Sequence, residues 1–264
     1  MPFTGSHPAA VLPLMRSGLV PSALVIGSMA PDLPYYLPVP LNSGTTHSAP
    51  GVLGLDLLLG AMAFALWQVL VAPLMVAVAP PSVRARLAPG LPVPWRRHVH
   101  GPQAVMLVVV SLWTGSATHV LWDEFTHIGR WGYRHLPWLA QTHGSLPGYE
   151  WAQYGSGVFG ALVIADSLRR WWRTTSPADP SAHPQRVPGL SPAAIAGVWT
   201  VIVLATLTGA AAAGGSALLG HPGVWTVAFR IATWGGGAGM FAVLACAVVH
   251  PRLPRDQADT QPTS

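Results

Sequence analysis

Five apolar stretches constrain the fold of this chain more than any other feature of its sequence. Each is close to or above the roughly 20 residues that a helix needs to cross a bilayer. Charged residues make up only 9% of the chain, against about 25% in soluble proteins. The sequence therefore predicts an all-α integral membrane protein with about five transmembrane helices. The five stretches are Gly51–Ala79, Pro102–Phe125, Glu150–Leu168, Pro192–Ala213 and Gly223–Val249.

The first fifty residues have a different pattern. Residues 9–30 are apolar enough to cross a membrane, but Pro13, Arg16, Gly18 and Pro21 interrupt them. Broken backbone survives at membrane depth only where protein covers it, so this segment predicts short or re-entrant helices. We expect a single membrane domain over residues 1–250, made of a ligand-bearing segment (1–50) and a helical bundle (51–250). A disordered tail is expected over residues 251–264.

The end of the second apolar stretch carries ionisable side chains at helical spacing. His119, Asp123 and His127 follow one another at intervals of four residues, which places them on one face of a helix. Imidazole and carboxylate groups are ligands for divalent metals such as zinc. The alternative is a polar cap that anchors the helix among lipid headgroups. Ionisable groups at the end of a membrane span suggest a functional site by default.

The distribution of arginines predicts which side of the membrane these residues face. Four arginines lie in the loop 80–100 and four in the segment 168–190, whereas the loop after Phe125 has only Arg130 and Arg134. Because cytoplasmic loops carry the positive excess, residues 119–127 are expected on the outer side. Asp56, near the start of the first stretch, shares that side.

Several other functions are disfavoured by the sequence. The stretch Gly155–Gly160 matches a dinucleotide fingerprint by letter, but no strand precedes it and close helix packing explains it better. The sequence has no phosphate-binding loop and no nucleophile elbow. The cationic residues are all arginines in a few loops, which argues for membrane topology rather than for nucleic-acid binding.

Four motifs resemble a bacterial membrane family catalogued as domain of unknown function 4184. They are Met1–Thr4 with Ser6–Pro8, Gly27–Asp32, Thr46–Ser48, and the stretch His119–Gly132. The resemblance covers roughly the first two thirds of the chain. It implies a multi-pass protein of the bacterial inner membrane. The distribution of arginines described above places the candidate site on its extracytoplasmic side.

A looser resemblance is to inner-membrane proteins classed as metal-dependent hydrolases. On that pattern the metal ligands correspond to His7, Asp32, His47, His119 and Asp123. The chain departs from the pattern at Pro34, where a second Asp is frequent, and at Thr118, where Ser is usual. The missing carboxylate leaves open whether one or two ions bind, and His127, Asp56 or Glu124 are candidates to compensate.

The combined hypothesis is a membrane-bound hydrolase with a divalent metal, zinc first, acting on a phosphoester or lipid-linked substrate. Glu124, about 100° around the helix from Asp123, is a candidate base, with a solvated position as the alternative. Arg130 is the candidate for holding an anionic group of the substrate. Membrane lipid is the expected partner, and His135 and His143 in the outer loop are weaker candidates for the site.

Two alternatives belong to other functional classes. A transporter or ion-conducting protein would use Asp56 and the histidines as a relay, but the charged groups gather at one face and do not trace a path across. A structural membrane protein would use the metal only to fasten its N-terminal segment to the helices. The sequence does not distinguish this structural role from the hydrolase, because the ligand residues are the same in both.

Overall fold

The structure is a computed structural model that describes residues 4–41, 43–87, 99–178, 189–218 and 223–256. It is all-α apart from one two-stranded hairpin. Four helices are long and apolar enough to cross a membrane. These candidate spans are Leu55–Val78, Pro102–His135, Pro192–Gly215 and Val224–Arg252.

The elements are numbered in chain order. The short helices of the first half are α1 (Pro8–Val11), α2 (Pro21–Met29), α3 (Ser43–Thr46), α4 (Ala49–Leu53), α5 (Leu55–Leu66), α6 (Ala72–Val78) and α7 (Pro81–Leu87). A π-helical turn, Trp67–Val71, joins α5 to α6. The second half contains α8 (Pro102–Thr126), α9 (Trp131–His135), α10 (Pro137–Ala140), β1 (Thr142–His143), β2 (Leu146–Pro147), α11 (Gly148–Thr174), α12 (Pro192–Leu218) and α13 (Val224–Val249).

The predicted third span differs from the other four. Residues 150–168 do form a helix, within the 27-residue α11, but α11 is not among the candidate spans. Gln153, Tyr154 and Ser156 interrupt its apolar sequence near the start. The all-α fold is therefore confirmed, while the count of about five spans is not.

The N-terminal segment is made of short helices, as predicted. Three 3-10 turns, Thr4–Ser6, Leu12–Arg16 and Ala30–Tyr35, alternate with α1 and α2. Both α-helices begin with a proline, which fits the first turn because its N–H has no helical partner there. The chain reverses at Gly18, whose φ of +86° favours glycine.

The chain divides into two compact units, and residues 1–34, 38–64 and 96–174 form the first. Its core includes Ala23, Phe64 and Leu112. The backbones of helices α2 and α8 are in contact at Gly27. A Cβ on Gly27 would collide with the backbone of Leu112. A Cβ on Gly115 would collide in the same way with the backbone of α2. These two glycines therefore set how closely the helices pack.

The second unit contains residues 35–37, 65–95 and 175–264. Its core cluster is centred on Leu74, Ala77, Leu190 and Ala247. Helices α12 and α13 pack through small residues: a Cβ on Gly235 would meet the Thr206 carbonyl oxygen at 3.1 Å. Such packing suits membrane helices, which lack a hydrophobic driving force between them.

The end of the chain lies in the second unit. Residues His250–Arg252 form a 3-10 turn, and Arg255 forms a β-bridge with Leu190. Residues 257–264 of the predicted disordered tail lie outside the described residues. The predicted division into segments 1–50 and 51–250 stays a prediction.

Candidate metal centre

Five of the predicted ligands come together inside the first unit from four separate segments. His7 lies between the Thr4–Ser6 turn and α1, Asp32 lies in the 3-10 turn Ala30–Tyr35, and His47 follows α3. His119 and Asp123 lie one turn apart on α8. All five residues are at most 5% exposed.

Local sequence explains the position of His47. The Ser48 hydroxyl accepts a hydrogen bond from the Gly51 amide at 3.1 Å and so caps α4. Gly51 itself lies against the Thr45 and Thr46 carbonyl oxygens, where a Cβ would collide. This tight turn places His47 directly before a fixed helix start.

A glycine also positions the His7 segment. A Cβ on Gly160 of α11 would lie 3.0 Å from the Ser6 carbonyl oxygen. The absence of a side chain at Gly160 therefore lets the turn before His7 rest on α11. The His7 ring then stacks on the His119 ring, with centroids 3.7 Å apart.

The ligand atoms of the cluster lie within a few ångströms of one another. His47 Nε2 is 3.3 Å from Asp32 Oδ1 and 3.2 Å from Asp123 Oδ2. His119 Nε2 is 3.5 Å from the same two oxygens. His7 Nε2 is 3.8 Å from Asp123 Oδ1. Three imidazoles and two carboxylates thus converge on one small volume.

Two groups of three residues have ligand atoms that all lie within 4.8 Å of one another. The first group is His7, His119 and Asp123, and the second is Asp32, His47 and His119. Nitrogen and carboxylate donors of this kind suit zinc and similar divalent ions. The two groups share His119, so this residue lies at the centre of the candidate site.

Several of these atoms lack a hydrogen-bond partner within the described part of the chain. They are His7 Nε2, Asp32 Oδ1 and Asp123 Oδ1, and all three are buried. Burying a polar atom without a partner costs about 1–3 kcal/mol. A cation among these atoms would remove that penalty, so the donor set fits a metal ion.

Two hydrogen bonds from outside the cluster orient its members. His119 Nδ1 lies 2.7 Å from the Ser28 carbonyl oxygen; because a carbonyl only accepts, Nδ1 carries the proton. In the neutral ring Nε2 then carries the lone pair, and it lies 3.5 Å from the two carboxylate oxygens and 3.2 Å from His47 Nε2. The Thr4 hydroxyl donates to Asp32 Oδ2 at 2.6 Å, which leaves Oδ1 for the centre. Such supports fix the orientation of metal ligands.

The pKa values of the ligands outside the spans follow from burial and neighbouring groups. Burial lowers the pKa of His7 to about 4, and the nearby His119 ring adds to the effect. Burial opposes ionisation of Asp32, but the close approach of the His119 and His47 rings outweighs it and lowers the pKa of this carboxyl. Burial also disfavours a charged His47 ring, yet the nearby Asp123 and Asp32 carboxylates raise its pKa. Neutral His7 and ionised Asp32 are the protonation forms that bind metals.

Asp56 and His127 lie beside the cluster but outside both groups of three. Asp56 is 1% exposed, and its Oδ2 accepts a hydrogen bond from Ser116 at 3.0 Å. His127 follows the last residue of α8, and its Nδ1 is 3.4 Å from Asp123 Oδ1. Their predicted roles as ligands stay predictions.

Glu124 and Arg130 form a pair at the edge of the site. Arg130 Nη1 lies 3.4 Å from Glu124 Oε1 and donates to the His47 carbonyl oxygen at 2.6 Å. The other Glu124 oxygen accepts from the Trp131 amide at 2.8 Å. This pair therefore anchors the His47 turn to the end of α8. The catalytic roles predicted for Glu124 and Arg130 stay predictions.

The two loop histidines are not part of the cluster. His135 stacks on Trp131, and its Nδ1 bonds to the Trp131 carbonyl. His143 stacks on Trp138, and its Nε2 bonds to the Trp138 carbonyl. Both rings therefore support the loop after α8.

Three groups near the site were not foreseen from the sequence. Ser116 lies three residues before His119, so helical spacing could have placed it on the same face. Gln153 donates to the Thr126 carbonyl and its Nε2 lies 3.1 Å from His127 Nε2. The Ser28 carbonyl is a backbone group, and no residue type signals its role.

Comparison with known proteins identifies the family. The sequence model of one family, described as a domain of unknown function (DUF4184), matches residues 1–249. The chain belongs to the DUF4184 family. The match covers nearly the whole chain, so it includes the final two helices as well as the ligand-bearing segments. The first resemblance is thereby confirmed, whereas the looser one to metal-dependent hydrolases stays a prediction. Searches of curated proteins and of solved structures found no match.

Proposed function

We propose that this DUF4184 protein is a membrane-embedded hydrolase that uses a divalent metal, zinc first, to cleave a phosphoester at the membrane surface. The observation that carries the proposal is the buried cluster of three histidines and two aspartates with unpartnered ligand atoms. Buried charge of this density inside a largely apolar helical protein demands compensation. A cation supplies it.

Some residues would bind the ion directly, and others would orient these ligands. His7, Asp32, His47, His119 and Asp123 would be the ligands for one ion or two. Ser28 and Thr4 orient His119 and Asp32 through the hydrogen bonds described above. When bound, a zinc ion with an open position polarises an ester oxygen and lowers the pKa of a coordinated water to about 7.

Arg130 would bind the anionic part of the substrate. Its Nη1 is used by the His47 carbonyl and by Glu124, but the guanidinium has further donors and its side chain is 26% exposed. Glu124 fixes the orientation of Arg130. In the hydrolysis the oxygen of water bonds to phosphorus, the bond from phosphorus to the departing alcohol breaks, and the alcohol leaves with a proton.

A second candidate function is structural. In this role the metal would only fasten the N-terminal segment to the helices. The near-complete burial of all five ligands favours it, because catalytic sites keep a position open to water and substrate. In this case the protein would bind metal stoichiometrically and hydrolyse nothing.

Hydrolysis of bis(4-nitrophenyl) phosphate by the detergent-purified, zinc-loaded protein separates the two functions. A hydrolase releases 4-nitrophenol, loses the activity with a chelator and regains it when zinc is returned. Arg130→Gln should raise KM, because the anion contact is lost. The zinc content of this variant is measured alongside, because Arg130 also donates to the His47 carbonyl. The control is Arg134→Gln, at the other arginine of the same loop. Stoichiometric metal without any release of 4-nitrophenol would leave the fastening role.

A further inference from the structure

A pocket of about 120 Å³ opens beside the metal-ligand cluster. It lies between the N-terminal turn with α1, the end of α8, and α11, all within the first unit. Its wall is largely apolar and includes Ala9, Ala10, Phe159, Gly160 and Val163.

One edge of the pocket is polar and belongs to the metal centre. Among the described residues that line the pocket, His7 alone is also one of the five ligands. Trp122 lines the pocket too, and it immediately precedes the ligand Asp123. A molecule in the pocket would therefore have one end next to the metal ligands.

The polar groups of Trp122 and Ser156 in the pocket wall are already used. The Trp122 indole nitrogen, the only donor of that side chain, donates to the Ser156 hydroxyl at 3.1 Å. The Ser156 hydroxyl in turn donates to the Gln153 carbonyl at 3.2 Å. These bonds hold the ring in place and leave carbon surface towards the pocket.

The size and the lining of the pocket indicate its occupant. Apolar cavities of about 150 Å³ exclude water and take up hydrocarbon molecules such as benzene. A pocket of 120 Å³ therefore accommodates a few carbon atoms of a chain. Helix α8 belongs to a candidate membrane span, so lipid chains are the hydrocarbon that would surround it.

We infer that this pocket binds the first carbons of a hydrocarbon chain attached to the phosphate group that the metal centre cleaves. The inference rests on the proposed hydrolase, and it makes the substrate an alkyl phosphodiester rather than a soluble phosphate ester. In the bound substrate the phosphate group would then lie next to His7, and the hydrocarbon chain would run along α1 and α11. Gly160 contributes twice, because its missing side chain seats the turn before His7 and opens the pocket.

Kinetics with a series of 4-nitrophenyl phosphodiesters test this inference. The second ester group is methyl, butyl or octyl, so the leaving group stays the same. In the wild type kcat/KM should rise by about fourfold for each of the first buried methylenes, at about 0.8 kcal/mol each. It should then level off once the pocket is full.

Val163→Phe fills the pocket and should abolish the rise of kcat/KM with chain length, while metal content stays the same. Leu162→Phe is the matched control, because Leu162 is the preceding residue of α11 and is 64% exposed. Ala10→Leu narrows the pocket from the opposite wall and replaces Val163→Phe if that variant does not fold. If kcat/KM rises equally with chain length in both pocket variants and in the control, the inference is overturned.

Photolabelling gives a readout that does not depend on hydrolysis. Decyl phosphate with a diazirine on its chain should label peptides containing Ala9–Ala10 and Phe159–Val163, and Val163→Phe should lose this label. Label spread evenly over the exposed helices would mean contact with bulk lipid only and would overturn the inference. Specific label without hydrolysis of any ester would uphold the pocket and reject the proposed hydrolase.

Discussion

Asp32 depends on one neighbouring hydroxyl for its orientation. The Thr4 hydroxyl holds Oδ2 at 2.6 Å, while Oδ1 has no hydrogen bond and lies 3.3 Å from His47 Nε2. One oxygen is therefore fixed and the other is presented to the centre. His119 is held in the same way. Its Nδ1 bonds to the Ser28 carbonyl, while its Nε2 faces the carboxylates.

Removing that hydroxyl should weaken the metal site without removing a ligand. Thr4→Val keeps the shape of the side chain but lets Asp32 rotate, so zinc affinity should fall by about 10- to 100-fold. Competition with a chromophoric chelator measures the affinity. Thr118→Val is the control, because the Thr118 hydroxyl bonds only to the Gly115 carbonyl of its own helix. Equal affinity in wild type and Thr4→Val would show that the Thr4 hydroxyl does not hold a metal ligand in place.

At the scale of the elements, two glycines determine whether the ligands meet. Gly27 on α2 and Gly115 on α8 allow these helices to touch at their backbones. Ser28 directly follows Gly27, and its carbonyl bonds to His119 one turn beyond Gly115. The 3-10 turn that carries Asp32 continues directly from α2. Close packing of α2 on α8 therefore positions two ligands at once.

A methyl group at this contact should disturb both packing and metal binding. Gly115→Ala should destabilise the fold by about 1–3 kcal/mol through overpacking, with a lower Tm and reduced zinc content. Gly155→Ala provides the comparison, since a Cβ there meets nothing within 4 Å. That variant should be neutral or slightly more stable, because alanine favours helix over glycine. Tm by differential scanning fluorimetry and elemental analysis give both readouts.

The sequence predicted which side chains gather in the cluster better than it predicted the contacts that position them. Spacing places His119 and Asp123 on one face because a helix repeats every 3.6 residues, and apolar length predicts the spans. The backbone approach at Gly27 and Gly115 could not be foreseen, since small residues are common throughout this chain. The carbonyl of Ser28 carries no signal in the residue type. The third predicted span is not among the candidate spans, because polar residues near the start of α11 lower the hydropathy of this helix.

For the whole molecule, the distribution of arginines predicts its orientation in the membrane. The sequence 80–100 after the first span contains four arginines, whereas the loop after α8 contains two, Arg130 and Arg134. With one candidate span between them, the two segments are expected to face opposite sides of the membrane. Because the cytoplasmic side carries the larger excess, the loop after α8 and the metal centre should face outwards.

Labelling of single cysteines tests this orientation. Ser145→Cys, in the exposed turn between β1 and β2, should react with a membrane-impermeant maleimide in intact cells. Ser82→Cys on α7 is the matched variant and should react only after lysis. The native Cys246 is 6% exposed, so the background should be low. If only Ser82→Cys is labelled in intact cells, the protein has the opposite orientation in the membrane.

Metal content of the detergent-purified protein tests the central claim most directly. Elemental mass spectrometry should find about one or two divalent ions per chain in the wild type. It should find none in His119→Ala, which removes the ligand shared by both groups of three, or in Asp123→Ala, whose oxygens lie near all three ligand histidines. His135→Ala removes a histidine of the neighbouring loop and should keep the metal. A wild type without metal after zinc or manganese is supplied, or equal metal in all four proteins, would contradict a metal centre at this cluster.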